Sequence, residues 1–249
     1  MSEHEEYTRD TYPSFGKLYN GEKGIISLTS WKARINTVSK TLYSLVKQCP
    51  GFHIVLVLSE EEFPRMTEEL PHNLMLFIDN KLIELMFVFK NYKSFKKVLF
   101  TMDKYRDVPV ISADDGCIYV MNYAQELYDI WKDNPKSLVS VKKYNGTDKS
   151  PYKCGGGGWG ILFPPYCFKD YGKKCLLRHG KEMAENPNDD RFLGILASKM
   201  CLKWVWMKDL NRGNMKTFVD ICNGGLSESN SYKGGINWKF KDFIEEVLK

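Results

Sequence analysis

The chain has 249 residues and a mass of 28.9 kDa, with 36 lysines and arginines against 31 acids, a formal net charge of +5. At 43% hydrophobic, 14% aromatic and 27% charged residues it has a folded globular composition, which excludes collagen-like, low-complexity and disordered classes. The basic excess is spread along the chain with no long run of like charge, so composition gives no reason to invoke nucleic acid.

Seven cysteines (Cys49, Cys117, Cys154, Cys167, Cys175, Cys201 and Cys222) are odd in number and never spaced C-x-x-C, which argues against a disulfide framework and a zinc site. A reducing compartment follows. The N-terminus is polar, and no apolar stretch approaches the ~18–20 residues needed to span a bilayer, so the expectation is a cytoplasmic protein without a transmembrane segment. Asn145-Gly146-Thr147 has the form of a glycosylation acceptor but reads as a glycine turn.

Residues 1–23 are hydrophilic and aperiodic and read as an arm, with Tyr7, Tyr12, Phe15 and Tyr19 packing locally; order is expected from Gly24. The run GIISLTS reads as a buried strand, and Ile35, Val38, Leu42, Leu45 and Val46 then recur at helical spacing. HIVLVL (53–58) is a second strand, and Leu74–Ile78 and Ile83–Val88 read as two more. A helix over 94–104 precedes VPVISADDG, an apolar run ending in two carboxylates. A helix over 122–133 and a strand over 138–141 follow. The second half is less regular: CGGGGWGILFPP, a helix over 190–199, a strand over 202–207, and a C-terminal helix with Phe240, Phe243, Ile244, Val247 and Leu248 on one face. Strands alternating with helices predict an α/β fold, a three-layer sandwich around a mostly parallel sheet, which binds ligands beyond the carboxyl ends of its strands.

The chemistry-bearing residues fall at such ends. Asp114 and Asp115 would be fixed where the fifth strand meets its loop. There a hard cation, Mn²⁺ or Mg²⁺, is held by one or two carboxylates plus phosphate oxygens. Taken alone, Asp-Asp-Gly is a turn. Thr29, Ser30, Trp31 and Arg34 follow the first strand and offer hydroxyls, N–H groups and a guanidinium to a nucleotide. Lys93, Lys96 and Lys97 open the helix before the aspartate strand, where a lysine can reach a diphosphate; otherwise they form a solvated face. Gly158 would let backbone approach a ligand, with Trp159 giving a flat face for a sugar ring. Asp189 and Asp190 precede an apolar helix; one caps it, and the other suits a general base toward a hydroxyl. Of the four histidines (His4, His53, His72 and His179) none follows Asp190.

These signals, in this order, resemble the GT-A glycosyltransferases, within them a group of bacterial and viral polysaccharide-type transferases. The matching elements are SLTSWKAR (27–34), LSEEEFP (58–64), FKKV (95–98), SADDGCIY (112–119), GWGILFPP (158–165) and NDDRF (188–192). The resemblance implies a GT-A type, Rossmann-like fold forming one domain over 24–249. Residues 24–142 would bind a UDP- or GDP-linked sugar donor and 143–249 a glycan acceptor. It implies donor binding by Thr29, Ser30, Arg34, Lys96, Lys97, Asp114 and Asp115, and a divalent metal on Asp114 and Asp115. Gly158 and Trp159 would hold the acceptor. The reaction implied is a single inverting displacement with Asp190 or Asp189 as base. One departure stands out: Gly116 stands where the family usually carries a third aspartate as direct metal ligand, so either Asp115 takes over or metal binding is weak or dispensable. A catalytically impaired sugar-nucleotide or glycan-binding module is the alternative. Nucleotidyltransferases and α/β methyltransferases would carry a glycine cluster directly after the first strand, and SLTSWKAR has none.

Overall fold

The computed structural model describes residues 12–144, 153–168, 178–180, 185, 189–210 and 218–220. In chain order the elements are β1 (Ser14–Gly16), β2 (Ile25–Thr29), α1 (Val38–Gln48), β3 (His53–Ser59), α2 (His72–Asp79), β4 (Glu84–Val88), α3 (Lys96–Lys104), β5 (Val110–Ser112) and β6 (Cys117–Tyr119). They continue with α4 (Tyr123–Asp133), β7 (Ser137–Ser140), β8 (Lys143–Tyr144), β9 (Cys154–Gly155), β10 (Ile161–Phe163), α5 (Asp189–Lys199), β11 (Lys203–Trp206) and β12 (Phe218–Asp220).

Eight strands form one mixed, mostly parallel sheet in the order β1-β4-β3-β2-β5-β10-β7-β11. β4, β3, β2 and β5 are parallel, β10 runs antiparallel between β5 and β7, and β11 lies parallel to β7 on the far edge. The central strands are buried on both faces, which is why they read as continuous apolar runs. Alternation then divides them. Leu28, Leu56 and Phe87 meet Leu42 and Leu45 of α1, Ile78 of α2 and Leu127 of α4. On the other face Ile25, Val55 and Met86 meet Val98 and Leu99 of α3 and Phe192 and Leu196 of α5. Each such buried aliphatic side chain stabilises the fold by roughly 1.5–3 kcal/mol, and the result is the expected three-layer α/β sandwich.

Two element readings need correction. The expected strand over Leu74–Ile78 is helix, the middle of α2. Leu74 and Ile78, four apart, are buried while Leu76 between them is 47% exposed, which is helical rather than alternating burial. Pro71 in extended conformation sets the start of that helix. Order also begins before Gly24. Ser14–Gly16 adds an edge strand antiparallel to β4, and the Tyr19 ring packs 5.6 Å from His53 and 5.5 Å from Tyr105. A three-residue edge strand held by backbone pairing carries no apolar period, so its sequence did not announce it. The Asn145-Gly146-Thr147 turn and the C-terminal helix expected over 240–248 lie outside the described residues. No helix among the described residues is long and apolar enough to cross a membrane.

The connections place the site. From β2 the chain passes through α1 to β3 and on to β4, moving one way across the sheet; α3 then carries it back over β3 and β2 to β5. The direction of winding therefore reverses between β2 and β5, and the region beyond the carboxyl ends of those two strands is where sheets of this kind take ligands.

Candidate active site

The segment after β2 and the segment after β5 meet beyond those strand ends. Ser30 Oγ donates to Asp115 Oδ2 at 2.7 Å and Arg34 Nη1 donates to Asp115 Oδ1 at 2.9 Å. From α1, Thr41 Oγ1 donates to the Asp115 carbonyl at 2.9 Å. Asp115 is only 6% exposed, and both carboxylate oxygens are engaged. Burial pushes its carboxyl above the usual range, against the pull of Ser30 and Arg34.

Asp114 turns the other way. Its amide N–H donates to Tyr119 Oη at 2.7 Å, and Tyr119 Oη donates to the Gly158 carbonyl at 3.0 Å. This fully buried tyrosine thus joins the aspartate loop to the glycine-rich segment. The Asp114 side chain is 45% exposed; Oδ1 receives Lys97 Nζ at 2.7 Å, and Oδ2 lies where a Cβ on Gly158 would collide with it. Glycine at 158 is therefore a steric requirement of this carboxylate.

Lys97 is the centre of the arrangement. Its side chain is 5% exposed, and Nζ also lies 3.2 Å from Asp189 Oδ2, at the N-terminus of α5. Burial opposes the ammonium, but the carboxylates of Asp114, Asp189 and Asp190 outweigh it and hold Lys97 well above the ordinary lysine range. One buried cation thus binds the aspartate loop to the helix that carries the second acid pair. Asp189 is buried, and Asp190, one position on, is half-buried.

The remaining candidates are placed differently. Thr29 Oγ1 donates to the Val57 carbonyl at 2.7 Å, tying β2 to β3. Lys96, adjacent to Lys97, points elsewhere: Nζ donates to Asn91 Oδ1 at 2.6 Å and lies 3.4 Å from Glu62. Consecutive helical residues diverge by roughly 100°, and burial brings Lys96 down to about 8 despite Glu62. Trp159 is half-buried against the first core face with Lys142 Nζ 4.6 Å above its ring, and the same ammonium lies 4.9 Å from the Tyr144 ring. The structure therefore brings together Ser30, Arg34, Lys97, Asp114, Asp115, Gly158 and Asp189, and leaves Thr29 and Lys96 in contacts of their own.

Sequence reasoning missed Tyr119, Thr41 and Lys142. Tyr119 closes the SADDGCIY segment, and its spacing of five from Asp114 was the available signal. Nothing in the sequence marks Thr41, whose apolar-face position on α1 only the fold reveals.

The donor set bears on the metal. Asp115 turns into the protein, both oxygens satisfied, and does not stand beside Asp114 as the second ligand expected of it. Among the described residues no three acid, histidine or cysteine side chains cluster as a metal site. What remains is Asp114, one half-exposed carboxylate in a neighbourhood where three carboxylates face one ammonium. That set fits a hard cation that takes one carboxylate from the protein and its other ligands from phosphate and water.

No family model and no curated protein matches the chain. Among solved structures it is similar to the glycosyltransferase GlyE of Streptococcus pneumoniae TIGR4, at 13% identity over 92% of this chain and 52% of that one, with a TM-score of 0.48. It is also similar to the mannosyltransferase PcManGT of Pyrobaculum calidifontis, solved with GDP-Man and Mn²⁺, at 10% identity over 81% of this chain and 59% of that one, with a TM-score of 0.49. The chain spans between half and three-fifths of the length of these two proteins.

Proposed function

We propose that the chain is a GT-A type glycosyltransferase that moves a sugar from a nucleotide-sugar donor to a hydroxyl of a glycan acceptor. The observation that carries this reading is the convergence at the switch point between β2 and β5. Residues from four separated segments, Ser30 and Arg34, Lys97, Asp114 and Asp115, and Asp189, contact one another there. A turn or a helix cap requires no such meeting.

In this reading the nucleoside diphosphate lies beyond the ends of β2 and β5, beside the half-exposed Asp114. Asp115 holds Arg34 and Ser30 in place from beneath and acts as a positioning residue. Asp114 would hold the divalent cation, which when bound offsets charge developing on the leaving diphosphate. Asp189 is buried beside Lys97 and Asp190 is the more exposed of the two, and in this reading Asp190 is the base: its carboxylate accepts the proton of the acceptor hydroxyl as that oxygen attacks the anomeric carbon opposite the diphosphate. Sugar inversion follows from a single displacement. Trp159 and Tyr144, with Lys142 between their rings, border the acceptor side.

A thermal-shift screen of UDP-, GDP-, CMP- and dTDP-sugars, each with Mn²⁺, Mg²⁺ or EDTA, tests the reading, because a ligand that binds only the native state raises Tm. A shift with one nucleotide class, followed by sugar transfer to water or a simple glycan, is the expected result. No shift with any donor overturns it, and a shift without transfer on any acceptor supports the binding-module alternative that Gly116 raised.

A further inference from the structure

We propose that Lys97 is an intramolecular competitor for the divalent cation at Asp114, so that metal binds together with the donor's diphosphate rather than ahead of it. The inference rests on the reading of Asp114 as the metal acid and adds a coupling which that reading does not contain.

Three observations carry it. First, Asp114 Oδ1, half of the accessible carboxylate of the aspartate loop, is occupied by Lys97 Nζ at 2.7 Å. Second, Lys97 is held there from its own backbone: its carbonyl receives the Ser27 hydroxyl, and its ammonium is shared with Asp189 at 3.2 Å. An exposed lysine would swing away at little cost. This one is 5% exposed and anchored at both ends, so a cation that takes both oxygens of Asp114 must break a buried ion pair. Third, the aspartate loop itself offers no second ligand: Asp115 is sealed by Ser30 and Arg34, and residue 116 is glycine.

Apo Asp114 thus offers a divalent ion one carboxylate oxygen and a competing ammonium. A diphosphate changes the balance by bringing ligand oxygens of its own and negative charge that can lie against the cation. Metal and diphosphate then raise each other's affinity, by the same factor for both, as linkage requires. The neighbouring Lys96 cannot substitute, since its ammonium lies on Asn91 and Glu62.

Mn²⁺ titration followed by EPR reads metal binding without turnover. For the wild-type chain with Mn²⁺ alone, millimolar or weaker binding is expected. For Lys97→Met, in which Asp114 loses its internal partner, Mn²⁺ affinity should rise at least tenfold. Lys97→Gln, a second neutral replacement, covers the case in which Lys97→Met fails to fold: at least tenfold tighter Mn²⁺ binding supports the proposal and an affinity unchanged from wild type overturns it, while tenfold tighter binding by the charge-keeping Lys97→Arg also overturns it. Micromolar binding of Mn²⁺ alone by the wild type, or an unchanged affinity in folded Lys97→Met, also overturns it. Adding UDP or GDP separates the two claims. At least tenfold tighter Mn²⁺ binding in the wild type supports the coupling. If neither nucleotide binds, the transferase reading fails, while the apo titrations still decide the competition by Lys97.

Discussion

Arg34 and Asp115 stand 81 residues apart in the chain, and their side chains meet at 2.9 Å across the ends of two neighbouring parallel strands. The pair does not repay its own burial: Asp115 is held above the usual carboxylate range because desolvation exceeds what Ser30 and Arg34 return. An interaction with that balance is kept for what it positions.

Opposite effects should follow from its two halves. Arg34→Ala leaves a buried carboxylate without its cation and should lower stability by about 2–4 kcal/mol. Asp115→Asn keeps the shape and removes the desolvated charge, so its unfolding free energy in urea should lie within about 1 kcal/mol of wild type or above it. Both should weaken nucleotide affinity, since Arg34→Ala removes the guanidinium and Asp115→Asn releases it. Equal destabilisation by the two variants at neutral pH would contradict this account.

Lys96 gives a pH dependence of definite sign. Its folded value of about 8 lies below the ordinary 10.5, so the folded state binds fewer protons between those two values and stability gains a contribution as pH rises from 8 to 10.5. Below pH 8 the full penalty of a buried ammonium is present, on the order of 3 kcal/mol. The stability difference between Lys96→Met and wild type should therefore favour the variant most at neutral pH and shrink above pH 8. Chemical denaturation of both proteins from pH 7 to 10 reads it directly.

The opposite edge of the sheet holds a carboxylate with the reverse sign. Burial raises the Glu84 carboxyl, but hydrogen bonds from His53, Lys104 and Tyr105 outweigh it and hold the group at about 2. A depressed acid contributes stability that is present above 4.5 and is lost as pH falls toward 2. Glu84→Gln should cost about 2–3 kcal/mol at pH 7, and the gap to wild type should close between pH 4.5 and 2. A gap that stays constant down to pH 2 would show that Glu84 acts through packing alone.

The sequence made the parallel half of the sheet legible because strands buried on both faces leave unbroken apolar runs, and Asp114 and Asp115 mark the end of one such run. It also named most of the residues that meet at the site. It left the antiparallel insertion of β10 between β5 and β7 hidden, since ILF reads the same in any sheet position. The split between Lys96 and Lys97 was equally closed to it, because two adjacent lysines become a structural cation and a site cation only when the helix is docked. The inward turn of Asp115 depended on Ser30 and Arg34 arriving from another strand.

Two glycines should respond differently to alanine. A Cβ on Gly158 meets the end of the Asp114 side chain, which can move. Gly158→Ala should keep its Tm within about 3 °C of wild type while losing metal-coupled nucleotide binding. A Cβ on Gly194, within α5, would lie 2.6 Å from Cys154 Cβ and 2.8 Å from the Lys153 carbonyl. Backbone cannot yield cheaply there, so Gly194→Ala should cost about 1–3 kcal/mol, against the usual gain for alanine in a helix. Thermal melts of the two variants check both signs.

In the proposed reading the acid pair at the start of α5 separates into two roles. Asp189 is buried and lies 3.2 Å from Lys97 Nζ, so its carboxylate is engaged in holding the site together, whereas Asp190 is half-buried and its charge reaches the same ammonium from one position further on. A base must meet the acceptor hydroxyl within hydrogen-bond reach, and a group locked against a buried cation is badly placed to do so. Once a donor is known, Asp190→Asn should retain its nucleotide-induced thermal shift and lose turnover by at least a hundredfold, the usual weight of a general base. Asp189→Asn should lower Tm by several degrees, because one carboxylate facing Lys97 is neutralised, yet keep measurable turnover with an unshifted pH profile. Near-normal turnover in Asp190→Asn together with its loss in Asp189→Asn would reverse the assignment and make the residue beside Lys97 the base.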